Sequence, residues 1–432
     1  MSVLACGEST LEPKGDGLPT GPDAVIGRLE DAQGRPLVAE AVSVNGAIDY
    51  TDENGVFAFD SVPSEYTLAV DLAVDPLRVF AGMTSRRPTI RVRWSGSDVL
   101  AHVTVSLAPS DRRTEILVVG QTTQAFRDQV VAFPGVYPAP AEPTDIQRVL
   151  TWGTETPAAF ALAALEFEFD PAFHVRSTYQ TAAEPLEAIW YQPVTFTRVA
   201  TTTLTLEPGG SESWVPDFVP VGTREVSIVT PDYDGGLLDQ QFVYARLPGT
   251  DQLTIINENL GAGDTQFAIL PDLPGVDFFL IAHTSTPPAY QGAGCATLVP
   301  IPTDADTMEL IHGTPPELVS PEDGANIGNH GELVTGITGP HTIRVEGAPY
   351  GTLEIHSEQP SITLPELSYF GWTWDPEVDF HWQVIVDTPA TELEALSVPA
   401  VPHEPIGRAT SIANESGETC QSDWRIFRVT AP

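Results

Sequence analysis

The sequence predicts an all-β protein built from several β-sandwich domains in tandem. Three observations predict it. Val, Thr, Ile, Phe and Tyr recur in short runs, broken roughly every 8 to 12 residues by Gly, Pro, Asp or Asn, the spacing of sandwich strands rather than of alternating strands and helices. The 40 prolines and 35 glycines among 432 residues are a surplus of turn formers. Hydrophobic residues still make up 42% of the chain, enough to fill cores, so this is not a disordered acidic tail. At about 150 residues per domain, the length corresponds to two to four domains.

Residues 1–22 read as a flexible tether. Gly, Ser, Thr, Pro and Asp are frequent over 7–22, and the segment has little to bury. Val3-Leu4-Ala5-Cys6-Gly7 resembles the end of a bacterial lipoprotein signal, in which the cysteine is lipidated and becomes the mature N-terminus. The resemblance implies export and a lipid anchor at Cys6. Only five residues precede Cys6, where such a signal carries a charged and then an apolar region. With Cys6 set aside, Cys295 and Cys420 are left to pair in an oxidising compartment.

Residues 23–108 form the clearest unit. The run 24–29 is a strand, and the turn from Asp31 leads into a second at 41–45. Asp52 to Gly55 supplies a hairpin, with Gly55 suited to positive φ. Phe57 and Phe59 alternate with Val56 and Ala58, so both rings face one side. Val62-Pro63 then turns into the strand from Tyr66. This order resembles the carboxypeptidase regulatory-like domain, a small transthyretin-like sandwich. Gly27, Leu29, Asp31, Gly34, Pro36 and Leu37 match its opening, and Thr51, Asp52, Gly55, Phe57, Phe59, Val62, Pro63, Tyr66 and Leu68 match the rest. The resemblance covers about a fifth of the chain and implies a non-catalytic module. The family's glycine in the turn before the tyrosine is replaced here by Ser64-Glu65. Arg78, Arg86, Arg87, Arg91 and Arg93 make a local basic patch. It reads either as a solvated strand face or as a docking patch for an acidic partner, with Arg86, Arg87, Arg91 and Arg93 as the contacts.

Residues 109–312 read as a central β domain, or as two sandwiches with a seam near 208, where Pro208-Gly209-Gly210 makes a turn. About ten strand runs are expected between 115 and 283. The stretch 158–169 is ambiguous, because its alanines favour helix while Glu166-Phe167-Glu168-Phe169 alternates like a strand. A two-turn helix is expected over 304–312, and another from Thr388-Pro389, where an N-cap and first-turn proline precede acidic residues.

Residues 313–432 open on Pro316-Glu-Leu-Val-Ser-Pro-Glu-Asp-Gly324, which is similar to the first strand of fibronectin type III and other immunoglobulin-like sandwiches. The runs 380–387 and 423–429 read as a middle and a final strand. The early tryptophan of type III modules is missing, so the resemblance is to the sandwich class.

Acidic residues outnumber basic ones 59 to 20, for a net charge of −39, and Lys14 is the single lysine. The net is −6 over 1–113, −11 over 114–246 and −22 over 247–432. Such a chain is not built to coat nucleic acid, which requires cations against phosphate. It repels anionic lipid headgroups and attracts divalent cations or a basic partner. The longest apolar stretches, such as 158–165, fall far short of the roughly 18 residues of a spanning helix.

Catalytic motifs are missing: there is no G-x-S-x-G, H-E-x-x-H, C-x-x-C or P-loop. His330, His341, His356 and His381 share one domain, yet none has ligand spacing on one element, and they read as solvated or core histidines. Asp232-Tyr233-Asp234-Gly235 offers part of a calcium loop, and Asp304 with Asp306 a second pair, but neither completes one. Tyr369, Phe370, Trp372, Trp374, Phe380 and Trp382 form an aromatic cluster. In a strand, Trp372 and Trp374 would share a face, and an exposed indole pair stacks sugar rings; a sandwich core is the competing and favoured reading. The expected protein is therefore a non-enzymatic, exported cell-envelope lipoprotein, outer-membrane-anchored or extracellular, with a structural, adhesive or partner-binding role. One alternative is a carbohydrate-binding protein using the cluster at 369–382. A second is a hydrolase with its site in the central domain.

Overall fold

A computed structural model describes residues 18–31, 34–72, 76–92, 100–107, 115–121, 146–153, 157–180, 185–230, 237–249, 252–259, 265–285, 293–328, 331–388, 410–411 and 416–430. The protein is all-β: among the described residues every regular element is a strand, save one 3-10 turn at Ser368–Phe370. No helix among them is long and apolar enough to cross a membrane. The chain divides into two compact units, one from Met1–Trp94, Pro316–Val398 and Ser422–Pro432, the other from Ser95–Pro315 and Pro399–Gln421. The first unit holds residues of both the expected first and last sandwiches.

The N-terminal strands of that first unit are β1 (Val25–Asp31), β2 (Ala41–Val44), β3 (Ala47–Tyr50), β4 (Val56–Phe59), β5 (Tyr66–Asp71), β6 (Leu77–Met83) and β7 (Thr89–Val92). One sheet runs β4-β1-β7, and the chain β3-β2-β5-β6 forms the facing layer. Alternate residues of both layers, among them Val25, Leu29, Val42, Phe57, Phe59, Leu68, Phe80 and Ile90, fill the core between them. The residues shared with the regulatory-like pattern have local reasons to be there. A Cβ on Gly27 would lie 2.1 Å from the Phe57 ring. Gly55 has φ +72°, and its amide donates to the Asp52 carbonyl to close the hairpin. Asp31 accepts from the Arg35 amide at 2.9 Å and its Nε at 2.7 Å, fixing the first turn.

The β5–β6 pair is buried on both faces. Leu68 and Phe80 point into the first core, whereas Ala69, Leu77 and Val79 point into a second core with Ile343, Val345, Leu353, Ile355, Trp382 and Phe427. That second core belongs to the C-terminal strands. Gly351–Ser357 pairs in parallel with β6, and His341–Gly347, Phe380–Thr388 and Arg425–Val429 continue the sheet. Ala325–Ile327 closes it in parallel with Arg425–Val429, and a short pair, Glu332–Val334 with Ser361–Thr363, contributes Leu333 and Ile362 to the same core.

The second unit is built around a long antiparallel hairpin, Ala158–Gln180 with Pro185–Leu206. The ambiguous 158–169 stretch is therefore a strand, paired also with Glu115–Gln121. The helix expected over 304–312 is not formed: Thr307–Glu309 is a strand parallel to Thr223–Val229, and Met308 and Leu310 alternate into the core. Residues 389 onward of the other expected helix lie outside the described residues. Gly294–Ile301 pairs with Gly417–Gln421 so that Cys295 faces Cys420, and the two form a disulfide with Cα atoms 4.0 Å apart. The bridge spans a sequence separation of 125 residues. Loop closure of that length stabilises by about 4 to 5 kcal/mol. Replacing both cysteines by alanine should therefore lower the unfolding free energy by about that amount in a urea titration; an unchanged urea midpoint would contradict it.

Candidate functional site

In the first unit, period-two alternation puts Arg344 and Glu346 on one face of their strand and Thr352 and Glu354 on the same face of the next, since Arg344 registers with Glu354 and Glu346 with Thr352. On the other side Glu354 registers with Arg78 of β6. The Glu354 carboxylate thus lies between two guanidinium groups, 3.4 Å from Arg78 Nε and 2.9 Å from an Arg344 amino nitrogen. Burial alone would raise its pKa, but Arg78, His356 and Arg344 hold it down at about 2. Burial drives the His356 pKa down to about 4, so at neutral pH the two arginines carry that effect. His356 accepts or donates at 2.9 Å with Thr342 Oγ1 and lies 4.7 Å from the Phe80 ring.

This face opens into a cleft of about 750 Å³. Asp71 and Leu72 at the end of β5, Leu77 at the start of β6, the turn at Tyr350–Gly351, and Phe370–Trp372 complete its walls. Tyr350 is fixed from two sides. Its hydroxyl accepts from Thr373 Oγ1 at 2.7 Å, and its ring lies 5.6 Å from Trp372 and stacks on Phe380. Asp71 and Glu346 have no ion-pair partner among the described residues, and burial raises the Asp71 pKa.

The residues singled out in sequence fall as follows. Trp372 and Trp374 do not make a flat exposed platform. They lie outside any strand, after a 3-10 turn ended by Gly371 at φ +78°, and their rings meet edge to face. Trp372 is 3% exposed in the second core, and Trp374 is partly buried with its indole N–H donated to Pro365 O at 2.8 Å. Of the arginines, Arg86 donates to Val62 O at 3.0 Å, Arg91 reaches Glu30 at 3.4 Å and Arg87 is exposed. Cys6, Arg93, Asp232, Asp234 and His330 lie outside the described residues. His341 is buried against Thr335 and Gly339 and His381 is exposed; among the described residues, these histidines form no metal-binding group of three. Asp304 and Asp306 are exposed.

In the second unit a hydroxyl, an imidazole and a carboxylate converge beside the disulfide. Thr297 Oγ1 donates to Glu418 Oε2 at 3.1 Å and stands 3.0 Å from His312 Nδ1; the Gly313 amide donates to the same carboxylate oxygen. With its one proton given to Glu418, the hydroxyl accepts from Nδ1–H. Thr297 is 6% exposed, which makes the group a clamp on the bridged strands. Cys295, Glu418 and Cys420 have potential metal-ligand atoms within 4.8 Å of one another, but the two sulfurs are bonded to each other.

What sequence reading missed is the Arg78–Glu354–Arg344 row. In sequence Arg78 reads as part of the local basic patch, yet it is 5% exposed. A single arginine inside the apolar run Leu77-Arg78-Val79-Phe80 was the available signal.

No family model matches the chain, and no curated protein matches it. Among solved structures it is similar to the TIE protein of Bacillus anthracis, at 9% identity over 68% of this chain and 50% of that one, with a TM-score of 0.16. It is also similar to a DUF1812 protein from Bacteroides thetaiotaomicron, at 7% identity over 48% and 78% of the two chains, TM-score 0.18. A third similarity is to the full-length major pilin SpaD of Corynebacterium diphtheriae, at 10% identity over 67% and 96%, TM-score 0.16. The chain spans half the length of the Bacillus anthracis protein. At these scores the similarities carry no functional argument.

The buried histidines set an acid profile. His312 and His356 titrate at about 4 in the folded chain against 6.5 unfolded, and burial lowers His341 as well. Above pH 6.5 both states are neutral there and stability is complete. As pH falls from 6.5 toward 4 the unfolded chain takes up protons that the folded one refuses, so stability declines. Glu354 adds a second loss as pH falls from 4.5 toward 2. The melting temperature should therefore drop steadily below pH 6.5, and His356→Gln should flatten that upper step. A level profile between pH 7 and 5 would contradict the assignment.

Proposed function

We propose that the chain is a non-enzymatic, partner-binding protein of the cell envelope that works outside the cytoplasm. The observation that carries this reading is the cleft, where carboxylates without an ion-pair partner among the described residues and fixed aromatic rings gather on one sheet. The disulfide supports an oxidising compartment. The core positions of Leu29, Phe57, Phe59, Tyr66 and Leu68 agree with a regulatory-like module, which in that family is non-catalytic. Cys6 is the proposed lipid anchor.

Two measurements test it. Labelled palmitate fed to expressing cells should mark the protein, and Cys6→Ser should abolish the label; label surviving the change removes the anchor. Immobilised on arrays of envelope glycans and peptides, the full chain should retain a ligand that Glu346→Gln or Phe370→Ala releases. A ligand indifferent to both changes would remove the cleft as the binding site.

A further inference from the structure

We propose that the cleft binds an uncharged oligosaccharide. The inference rests on the cleft being the partner-binding site and names the partner's chemistry.

Three kinds of group meet there. Tyr350 and Phe370 are half-buried rings, and Tyr350 is held by its hydroxyl and by its contact with Trp372. Rigid aromatic faces of this kind pack against apolar C–H surfaces. Asp71 and Glu346 are acceptors without an ion-pair partner among the described residues. Two donors of the same lining are also unmet among the described residues: the indole N–H of Trp372, on a side chain only 3% exposed, and Nε–H of Arg344 are buried without a hydrogen-bond partner there.

A buried donor with no partner is unusual and calls for an explanation. A ligand that answers all three features must donate, accept and present an apolar face. Sugar hydroxyls each donate and accept, and the ring carries C–H faces between them. A lysine or arginine side chain would satisfy Asp71 and Glu346 but bring no acceptor to Trp372 and Arg344. An anionic polymer would be repelled by the two carboxylates and by a chain of net charge −39. The volume of about 750 Å³ lies within the range of small-ligand sites.

The test is calorimetric titration of the full chain with cellotetraose, maltotetraose, mannotetraose and xylotetraose, beside a polygalacturonate fragment and an Arg/Lys octapeptide. Each is measured at low and high salt. Phe370→Ala and Glu346→Gln are compared with Asp304→Asn, an exposed change in the other unit, and each variant's melting curve confirms that it folds. At least one neutral tetrasaccharide should bind with little salt dependence. Glu346→Gln should weaken it roughly tenfold, the scale of one lost hydrogen bond to a charged group, Phe370→Ala should weaken it up to about tenfold through lost ring packing, and Asp304→Asn should leave it unchanged. If the octapeptide binds instead, and the cleft variants abolish it, the saccharide inference falls while the binding site stands. If no probe binds, or binding ignores the cleft variants, both fall.

Discussion

One carboxylate organises the first unit. Glu354 sits on the strand that joins the C-terminal sheet to β6, and its two cross-strand neighbours are Arg78 and Arg344. Remove that charge and Arg78, 5% exposed, loses the carboxylate 3.4 Å from its Nε. Breaking such a buried pair from one side costs about 3 to 5 kcal/mol, more than forming it contributes over an apolar substitute. Its structural value is register. A parallel pair has no hairpin to fix its alignment, and a one-residue slip would turn every side chain to the wrong face. In this pair the ion row permits one alignment.

The same alignment builds the cleft. Leu353 and Ile355 go to the second core, so Thr352 and Glu354 must face the other way, beside Arg344 and Glu346. Asp71 at the end of β5 and Leu77 at the start of β6 border the cleft, and the turn at Tyr350 adds an aromatic ring. The cleft and the sheet register are therefore two consequences of one pairing. The second unit solves its own joining problem covalently: Cys295 and Cys420 lie opposite each other, and Glu418 ties the neighbouring strand to the Gly313 amide.

Much of the fold was legible where the signal is local. Phe57 and Phe59 announced a strand by alternation, Asp52 to Gly55 announced a hairpin, and both are present. Local patterns misled where a longer context decides. Helical composition over 304–312 yielded to the alternation of Met308 and Leu310 into a core assembled from distant strands. Trp372 and Trp374 have strand spacing, but Gly371 in the left-handed region interrupts the strand that would have displayed them. The pairing of β6 with Gly351–Ser357 leaves no trace in local periodicity, because its partners are separated by about two-thirds of the chain. The cleft inherits that invisibility, since Asp71 and Glu346 are ordinary acids until the pairing brings them to one place.

The direct test of this account is native-state hydrogen exchange on the chain and on Glu354→Gln. The account predicts that amides of Leu77–Met83 and Gly351–Ser357 exchange slowly and as one block. In the variant both should speed up together while the Gly294–Ile301 strand of the second unit keeps its rate. Independent exchange of the two strands in the parent chain, or a variant that accelerates only one of them, would contradict it.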